Sequence, residues 1–164
     1  MNATVSNRLA TSASAEREDR AAEPIVAAVD ASAASRAAAE EAVALAAELD
    51  APLVFAYVRR APPGVFGRPV YQQRLTTENG RARRVLDRAL HIADSAEVEA
   101  EAEILEGSPG QRIVEFARDR GAQLVVIGSR RRRFGPSVSR AVTRAADRPV
   151  VVAAPRSSRL ALAA

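Results

Sequence analysis

The sequence predicts an α/β protein in which helices cover both faces of a parallel β-sheet. Short apolar runs alternate with segments of helical periodicity along the chain, which gives five strands and four helices. Most of these runs are continuously apolar, as is typical of strands buried on both faces. The length of 164 residues suits one domain with its own core. In such sheets the crossovers are right-handed, and ligands bind beyond the carboxyl ends of the strands, where strand order reverses.

The first strand follows a polar tail. Residues 1–22 contain Ser, Thr, Ala and charged residues but few large apolar ones, so we expect a disordered amino-terminal tail. The strand is predicted over residues 25–29 and ends before Asp30. The next segment, residues 31–50, has apolar residues at helical spacing, with Ser32 or Ser35 as its N-cap. We expect the ordered domain to span residues 23–154 and a short carboxyl-terminal tail to span residues 155–164.

The second strand and second helix are separated by a predicted loop. Residues 53–58 are apolar and predict a buried strand, whereas residues 59–69 contain three prolines and two glycines and predict a loop. The helix is expected from about Leu75 to Ala93, and Asn79-Gly80 weakens the evidence for its first part. Its inward stripe is predicted to consist of Ala82, Val85, Leu86, Ala89 and Ala93.

The third strand should lie at or near a sheet edge. Residues 98–105 alternate between apolar and acidic side chains, which indicates a half-exposed strand whose carboxylates discourage edge-to-edge pairing. Ser108 followed by Pro109 is a typical helix start, and that helix should end at Gly121.

The last part of the chain contains the strongest indication of a binding site. Residues 124–127 predict a fourth buried strand, the four arginines of residues 130–133 follow, and residues 138–145 predict a final helix before a last strand at residues 149–153. A strand, a loop and a helix start in this order suit an anion, because the unpaired N–H groups of a helix N-terminus favour negative charge. The residues at the predicted ligand-binding edge are Asp30, Val58 and Gly128.

Composition limits the function classes. The formal net charge is +4, and all 24 basic residues are arginine. Arginine in place of lysine is consistent with phosphate recognition or with biased codon usage. The chain contains no cysteine, which excludes disulfides and cysteine-ligated zinc. It has neither an apolar run of about 20 residues nor the apolar core of a secretory signal, so we expect a cytoplasmic protein without membrane contact.

Three segments together resemble the universal stress protein family. They are PIVAAVDASAASRAAAEEAVALAAELDAPLVFAYV, ILEGSPGQRIVEFARDRGAQLVVIGSR and SVSRAVTRAADRPVVVAAP, which span roughly residues 24–154. The resemblance implies a single-domain, Rossmann-like five-stranded parallel sheet of order 3-2-1-4-5, of the adenine-nucleotide α-hydrolase-like type. It also implies a homodimer paired through the last strand, residues 150–153, which would cover an open sheet edge.

The family contains members that bind ATP and members that do not. Binders resemble G-x-x-G-x9-G-[S/T] after the fourth strand, with an aspartate at the end of the first. By position, Asp30 matches that aspartate on the adenine or ribose side, Val58 matches the apolar residue beside the base, and Gly128 matches the first glycine. The rest of the implied nucleotide site consists of Ser129, Arg130, Ser137, Val138 and Ser139.

The middle of the motif departs from the binding pattern. Arg131 stands at the second glycine, Gly135 or Pro136 at the third, and the loop is several residues shorter. Arginine restricts the backbone where glycine allows positive φ, and proline removes an N–H donor, so backbone cradling of phosphate is weakened. Two hypotheses follow. Either the chain binds ATP or a related adenine nucleotide, with arginines replacing the cradle, or it has lost the ligand and acts through dimerisation and contacts with a partner protein.

Other functions have weaker support. His91 lies off the inward stripe, and the acidic residues of 97–106 are interpreted as a solvated strand face rather than as convergent metal ligands, so no metal site is expected. Related enzymes carry S-G-G-x-D-S after the first strand, whereas residues 30–35 contain no glycine. We therefore expect no enzymatic activity. Arginines 130–133 suggest phosphate contacts to nucleic acid. However, with an aromatic fraction of 4% the chain has few aromatic side chains on which bases could stack, so nucleic-acid binding is not expected.

Overall fold

A computed structural model of the chain describes residues 23–60, 67–129 and 137–155. Strands and helices alternate as β1 (Ile25–Ala28), α1 (Ala33–Leu49), β2 (Leu53–Arg59), α2 (Gly67–Ser95), β3 (Ala100–Glu106), α3 (Pro109–Asp119), β4 (Leu124–Gly128), α4 (Val138–Ala145) and β5 (Val150–Ala153). All four strand pairs are parallel, and the order is β3-β2-β1-β4-β5. The predicted fold class and strand order are confirmed. The amino-terminal tail predicted at residues 1–22 and residues 156–164 lie outside the described part of the chain.

The sheet separates two apolar layers. β1 lies at its centre with every residue buried, and its side chains alternate between the layers because successive residues of a strand face opposite sides. Ile25 and Ala27 pack with α1 and α2, whereas Val26 and Ala28 pack with α3 and α4. Alanines supply most of the buried face of α1, which lets this helix lie close to the sheet.

The second helix is longer than the sequence predicted. α2 begins at Gly67, so residues 67–69 belong to the helix rather than to the predicted loop, and the expected start near Leu75 was wrong. Pro69 is compatible with this position because the N–H groups of a first helical turn have no intrahelical partner. Asn79 and Gly80 lie within the helix. The predicted inward stripe from Ala82 to Ala93 is confirmed.

β3 and β5 form the two edges of the sheet. β3 begins at Ala100 instead of Val98, and Glu97 before it has a left-handed backbone with φ 55°. The predicted edge position of β3 is confirmed, and its exposed carboxylates pair with Arg120, which contacts Glu103 and lies 3.3 Å from Glu101. On the opposite edge, Val152 of β5 is 44% exposed.

A half-buried arginine contacts the end of α3. Arg148 Nη1 donates hydrogen bonds to the carbonyl oxygens of Ala117, at 2.9 Å, and Ala122, at 2.6 Å. Its side chain is only 16% exposed. The Ala117 carbonyl also accepts from the backbone N–H of Ala122 at 2.9 Å, so the guanidinium is its second donor. Through Ala117 and Ala122, Arg148 joins the end of α3 and the segment before β4 to the segment before β5.

Candidate functional site

An open cleft of about 1070 Å³ lies at the carboxyl ends of β1, β2 and β4. The chain leaves β1 toward β2 on one side, and β4 lies on the other side, so this is the point where strand order reverses. Residues from α2, α3 and α4 complete the walls. Its described lining comprises residues 28–32, 35, 56–60, 70, 73, 74, 77, 78, 81, 109, 113, 127, 128 and 137–139.

Asp30 is held at the edge of this cleft by a network in the β1–α1 turn. Its backbone N–H donates to Ser35 Oγ at 2.7 Å, and its Oδ1 accepts from the backbone N–H of Ser32 at 2.8 Å. Ser32 is the N-cap of α1, and its hydroxyl accepts from Ser35 N at 3.2 Å. Asp30 is exposed, whereas Ser35 is 5% exposed. The turn therefore fixes an accessible carboxylate in one orientation.

Gly128 lies where α1 comes closest to β4. A Cβ atom added there would lie 2.5 Å from the carbonyl oxygen of Ala34 and 2.6 Å from its carbonyl carbon. Such contacts with backbone atoms cannot be relieved by rotating a side chain. Glycine at this position is therefore required by helix packing, a role that the motif comparison did not reveal.

The start of α4 forms another wall. Ser137 is its N-cap and accepts from the N–H of Arg140 at 3.4 Å, and its Oγ lies 2.8 Å from that of Ser139. Ser137, Val138 and Ser139 all line the cleft. Helix N-termini favour anions because their first N–H groups have no intrahelical partner. This wall can therefore accept a negatively charged group.

Two residues of the predicted nucleotide site, Ser129 and Arg130, are not among the described residues that line the cleft. Ser129 lines a neighbouring groove together with Ser137 and Ser139, and its N–H donates to the carbonyl of Ala153 at 2.6 Å. Arg130, like the arginines at 131–133, lies outside the described residues. The structure thus brings Asp30, Val58, Gly128 and residues 137–139 to one cleft and places Ser129 beside it.

Tyr57 was not predicted as a cleft residue. Val58 is half-buried, and the adjacent Tyr57 is 6% exposed and also lines the cleft. Burial, followed by the negative charges of Glu78 and Asp30, raises the pKa of the Tyr57 hydroxyl, and the positive charge of Arg81 partly opposes them. A protonated phenol therefore lies among charged groups on the cleft floor.

The α2 wall was also missed. It comprises Val70, Gln73, Arg74, Thr77, Glu78 and Arg81. The predicted helix began too late to include its first members. A signal was available, because these residues recur every three or four positions, which places them on one face of a helix.

The described residues contain no group of three or more His, Cys, Asp or Glu side chains arranged to hold a metal ion. None of the helices in the described ranges is long and apolar enough to cross a membrane.

Comparisons with known proteins agree with the architecture. The model of the universal stress protein family matches residues 22–154. A protein of this family from Burkholderia pseudomallei is 29% identical, with a TM-score of 0.65 over 81% of this chain and 96% of its own. The universal stress protein from Archaeoglobus fulgidus in complex with dAMP is 28% identical, with a TM-score of 0.62 over 81% and 98%.

A third structure, the universal stress protein UspA from Lactobacillus plantarum, is 26% identical. Its TM-score is 0.69 over 80% of this chain and 97% of its own. No curated protein sequence matches the chain.

Proposed function

The chain belongs to the universal stress protein family, and from this premise we propose that it is a regulatory or protective binding module that takes an adenine nucleotide, ATP or a relative of ATP, in the cleft. The observation that carries the proposal is the position of the cleft, where Asp30, Val58 and the start of α4 line one space. Its volume of about 1070 Å³ is ample, because small-molecule sites commonly occupy about 300–1,000 Å³. The Archaeoglobus fulgidus relative, 28% identical, is in complex with dAMP.

Each wall suits one part of a nucleotide. In the proposal, the Asp30 carboxylate accepts hydrogen bonds from the ribose or base, and Val58 contacts the base. Ser137 and Ser139 donate to phosphate, helped by the N–H groups that begin α4, including that of Val138. Gly128, Ser129 and Arg130 complete the proposed site, with Gly128 allowing the close approach of α1.

We propose a binding role rather than catalysis. The turn after β1, residues 30–35, contains no glycine with which to wrap a pyrophosphate. Its serines instead cap α1 and hold Asp30 in place. We further propose that the protein works in the cytoplasm.

Calorimetric titration tests nucleotide binding. Purified protein, freed of carried-over ligand by unfolding and refolding, is titrated with ATP, AMP and cyclic AMP. We expect saturable binding, and Asp30→Ala should weaken it about tenfold, because hydrogen bonds to charged groups contribute about 1.5–3 kcal/mol. Asp87→Ala is the matched control, because Asp87 is exposed on α2 and does not line the cleft. Absence of saturation at millimolar nucleotide would reject the proposal.

A second candidate function is favoured by the β5 edge. Val152 is 44% exposed on an edge strand, and such edges are commonly covered by another chain. In this alternative the protein binds no nucleotide and acts as a homodimer, paired through residues 150–153, that contacts a partner protein. Sedimentation of ligand-free protein at tens of micromolar tests the dimer, and a monomer would contradict it.

A further inference from the structure

The first half of α2 extends past the core. None of residues 67–81 is buried, and Ala82 is the first buried residue of the helix. Helices in proteins are stabilised mainly by packing of an apolar face, so this segment of about four turns is not explained by core contacts. Instead of packing on the core, one face of this segment lines the cleft.

That face is polar and periodic. The cleft-lining positions of α2 are 70, 73, 74, 77, 78 and 81, which lie three or four residues apart and therefore on one side of the helix. Val70 is the single apolar side chain among them. Arg83, two residues after Arg81 and also exposed, does not line the cleft.

The charge of the described lining is positive. It contains four arginines, at 59, 60, 74 and 81, and two acidic residues, Asp30 and Glu78. Arg59 pairs with Glu106 at 2.6 Å. Arg81 is close enough to Tyr57 for its charge to act on the phenol. Guanidinium groups on a cleft wall suit phosphate, whose oxygens they can bind in pairs.

The sequence of the β4–α4 loop suggests why positive charge on the α2 wall would matter for phosphate binding. Arg131 stands at the second glycine of the nucleotide-binding pattern and Gly135 or Pro136 at the third, so the resemblance implies weaker backbone cradling of phosphate by this loop. A ligand with several negative charges then depends more on positive side chains. Arginines 130–133 are candidates within the loop, and α2 adds Arg74 and Arg81 from a different element.

We infer that Arg74 and Arg81 bind the phosphate groups of the nucleotide and thereby set the preference of the cleft for phosphorylated over unphosphorylated adenosine. This inference rests on the proposed function. A bound nucleotide would also give the first half of α2 contacts that the hydrophobic core of the domain does not provide. Ligand should therefore slow amide hydrogen exchange in residues 67–81.

The test compares adenosine, AMP and ATP by calorimetry on the full chain and on Arg74→Gln, Arg81→Gln and Arg83→Gln. Glutamine keeps helix propensity similar to that of arginine, and circular dichroism verifies the fold. We expect Arg74→Gln and Arg81→Gln each to weaken ATP about tenfold while leaving adenosine unchanged. Arg83→Gln, with the same loss of charge, should behave like the unmodified protein. ATP should slow exchange in residues 67–81 of the unmodified protein and of Arg83→Gln.

Each contrary result has a distinct meaning. If ATP binds and an arginine variant keeps the same ratio of ATP to adenosine affinity, that residue does not bind phosphate, and the nucleotide function stands without it. An equal loss of affinity for ATP and adenosine would show a structural effect and would also overturn the inference. If no nucleotide binds the unmodified protein, both the proposed function and the inference are wrong.

Discussion

The substitution Gly128→Ala tests the close approach of α1 to β4. The new Cβ would lie 2.5 Å from the Ala34 carbonyl oxygen and 3.0 Å from the Ala34 Cβ. Ordinary contacts between heavy atoms are about 3.5–4.0 Å, so the helix must move by roughly 1 Å. Moving backbone is costly, and overpacking typically costs about 1–3 kcal/mol. We expect the upper end, about 3 kcal/mol, which is a large share of the roughly 5–15 kcal/mol that stabilises a folded protein.

Urea unfolding measures this cost through the midpoint at constant slope. Gly80→Ala is the matched control, because it makes the same chemical change within α2, where the nearest atom is Arg84 Nη1 at 3.6 Å. Alanine in a helix is preferred to glycine by about 1 kcal/mol, so Gly80→Ala should stabilise the protein. A loss below about 0.5 kcal/mol in Gly128→Ala would refute the tight contact with α1, since surface substitutions usually stay within that limit.

The remaining predictions concern a helix end, a phenol and a sheet edge. Arg148→Met removes the guanidinium hydrogen bonds to the carbonyls of Ala117 and Ala122 and should cost about 2 kcal/mol in urea unfolding; an equal loss in Arg144→Met, at an exposed position of α4, would contradict this reason. The pKa of Tyr57 lies above its ordinary 10.0, so its stabilising effect is complete below pH 10.0 and is lost as pH rises through the folded pKa. Unfolding free energies measured across that range should fall less steeply in Tyr57→Phe, and identical profiles would count against the shift. Val152→Lys should convert the proposed dimer into a monomer during sedimentation, whereas Leu49→Lys, at a position 47% exposed on α1, should leave it intact; a Val152→Lys dimer would exclude pairing through β5.

Periodicity was sufficient for most of the fold. The continuous apolar runs predicted β1, β2 and β4 because central parallel strands are buried on both faces. The alternation in residues 98–105 correctly placed β3 at an edge. The start of α2 was mispredicted because residues 67–81 contribute nothing to the core and therefore carry no strong apolar period. Pro69 and Asn79-Gly80, which usually mark turns, added to the error.

Less of the candidate site than of the fold could be predicted from the sequence. Residues directly after strands, such as Asp30, could be placed at the cleft because parallel strands end at a common edge. For the α2 wall, periodicity could group its residues on one face of a helix but could not place that face at the cleft, since this depends on where the helix lies after a crossover. The packing role of Gly128 depends on Ala34, which is 94 positions away in the sequence. Local patterns contain no information about such a contact.

These structural roles determine which substitutions report on ligand binding. Gly128 is fixed by α1 whether or not phosphate binds, so its match to the nucleotide motif does not distinguish the two hypotheses. Ser137 caps α4, and Asp30 accepts from Ser32 N, so replacing either one changes local structure as well as the cleft. Arg81 is exposed and lines the cleft on a face of α2 outside the core. A change in ATP affinity in Arg81→Gln, with adenosine unchanged, therefore reports on phosphate binding more directly than any change at the motif positions.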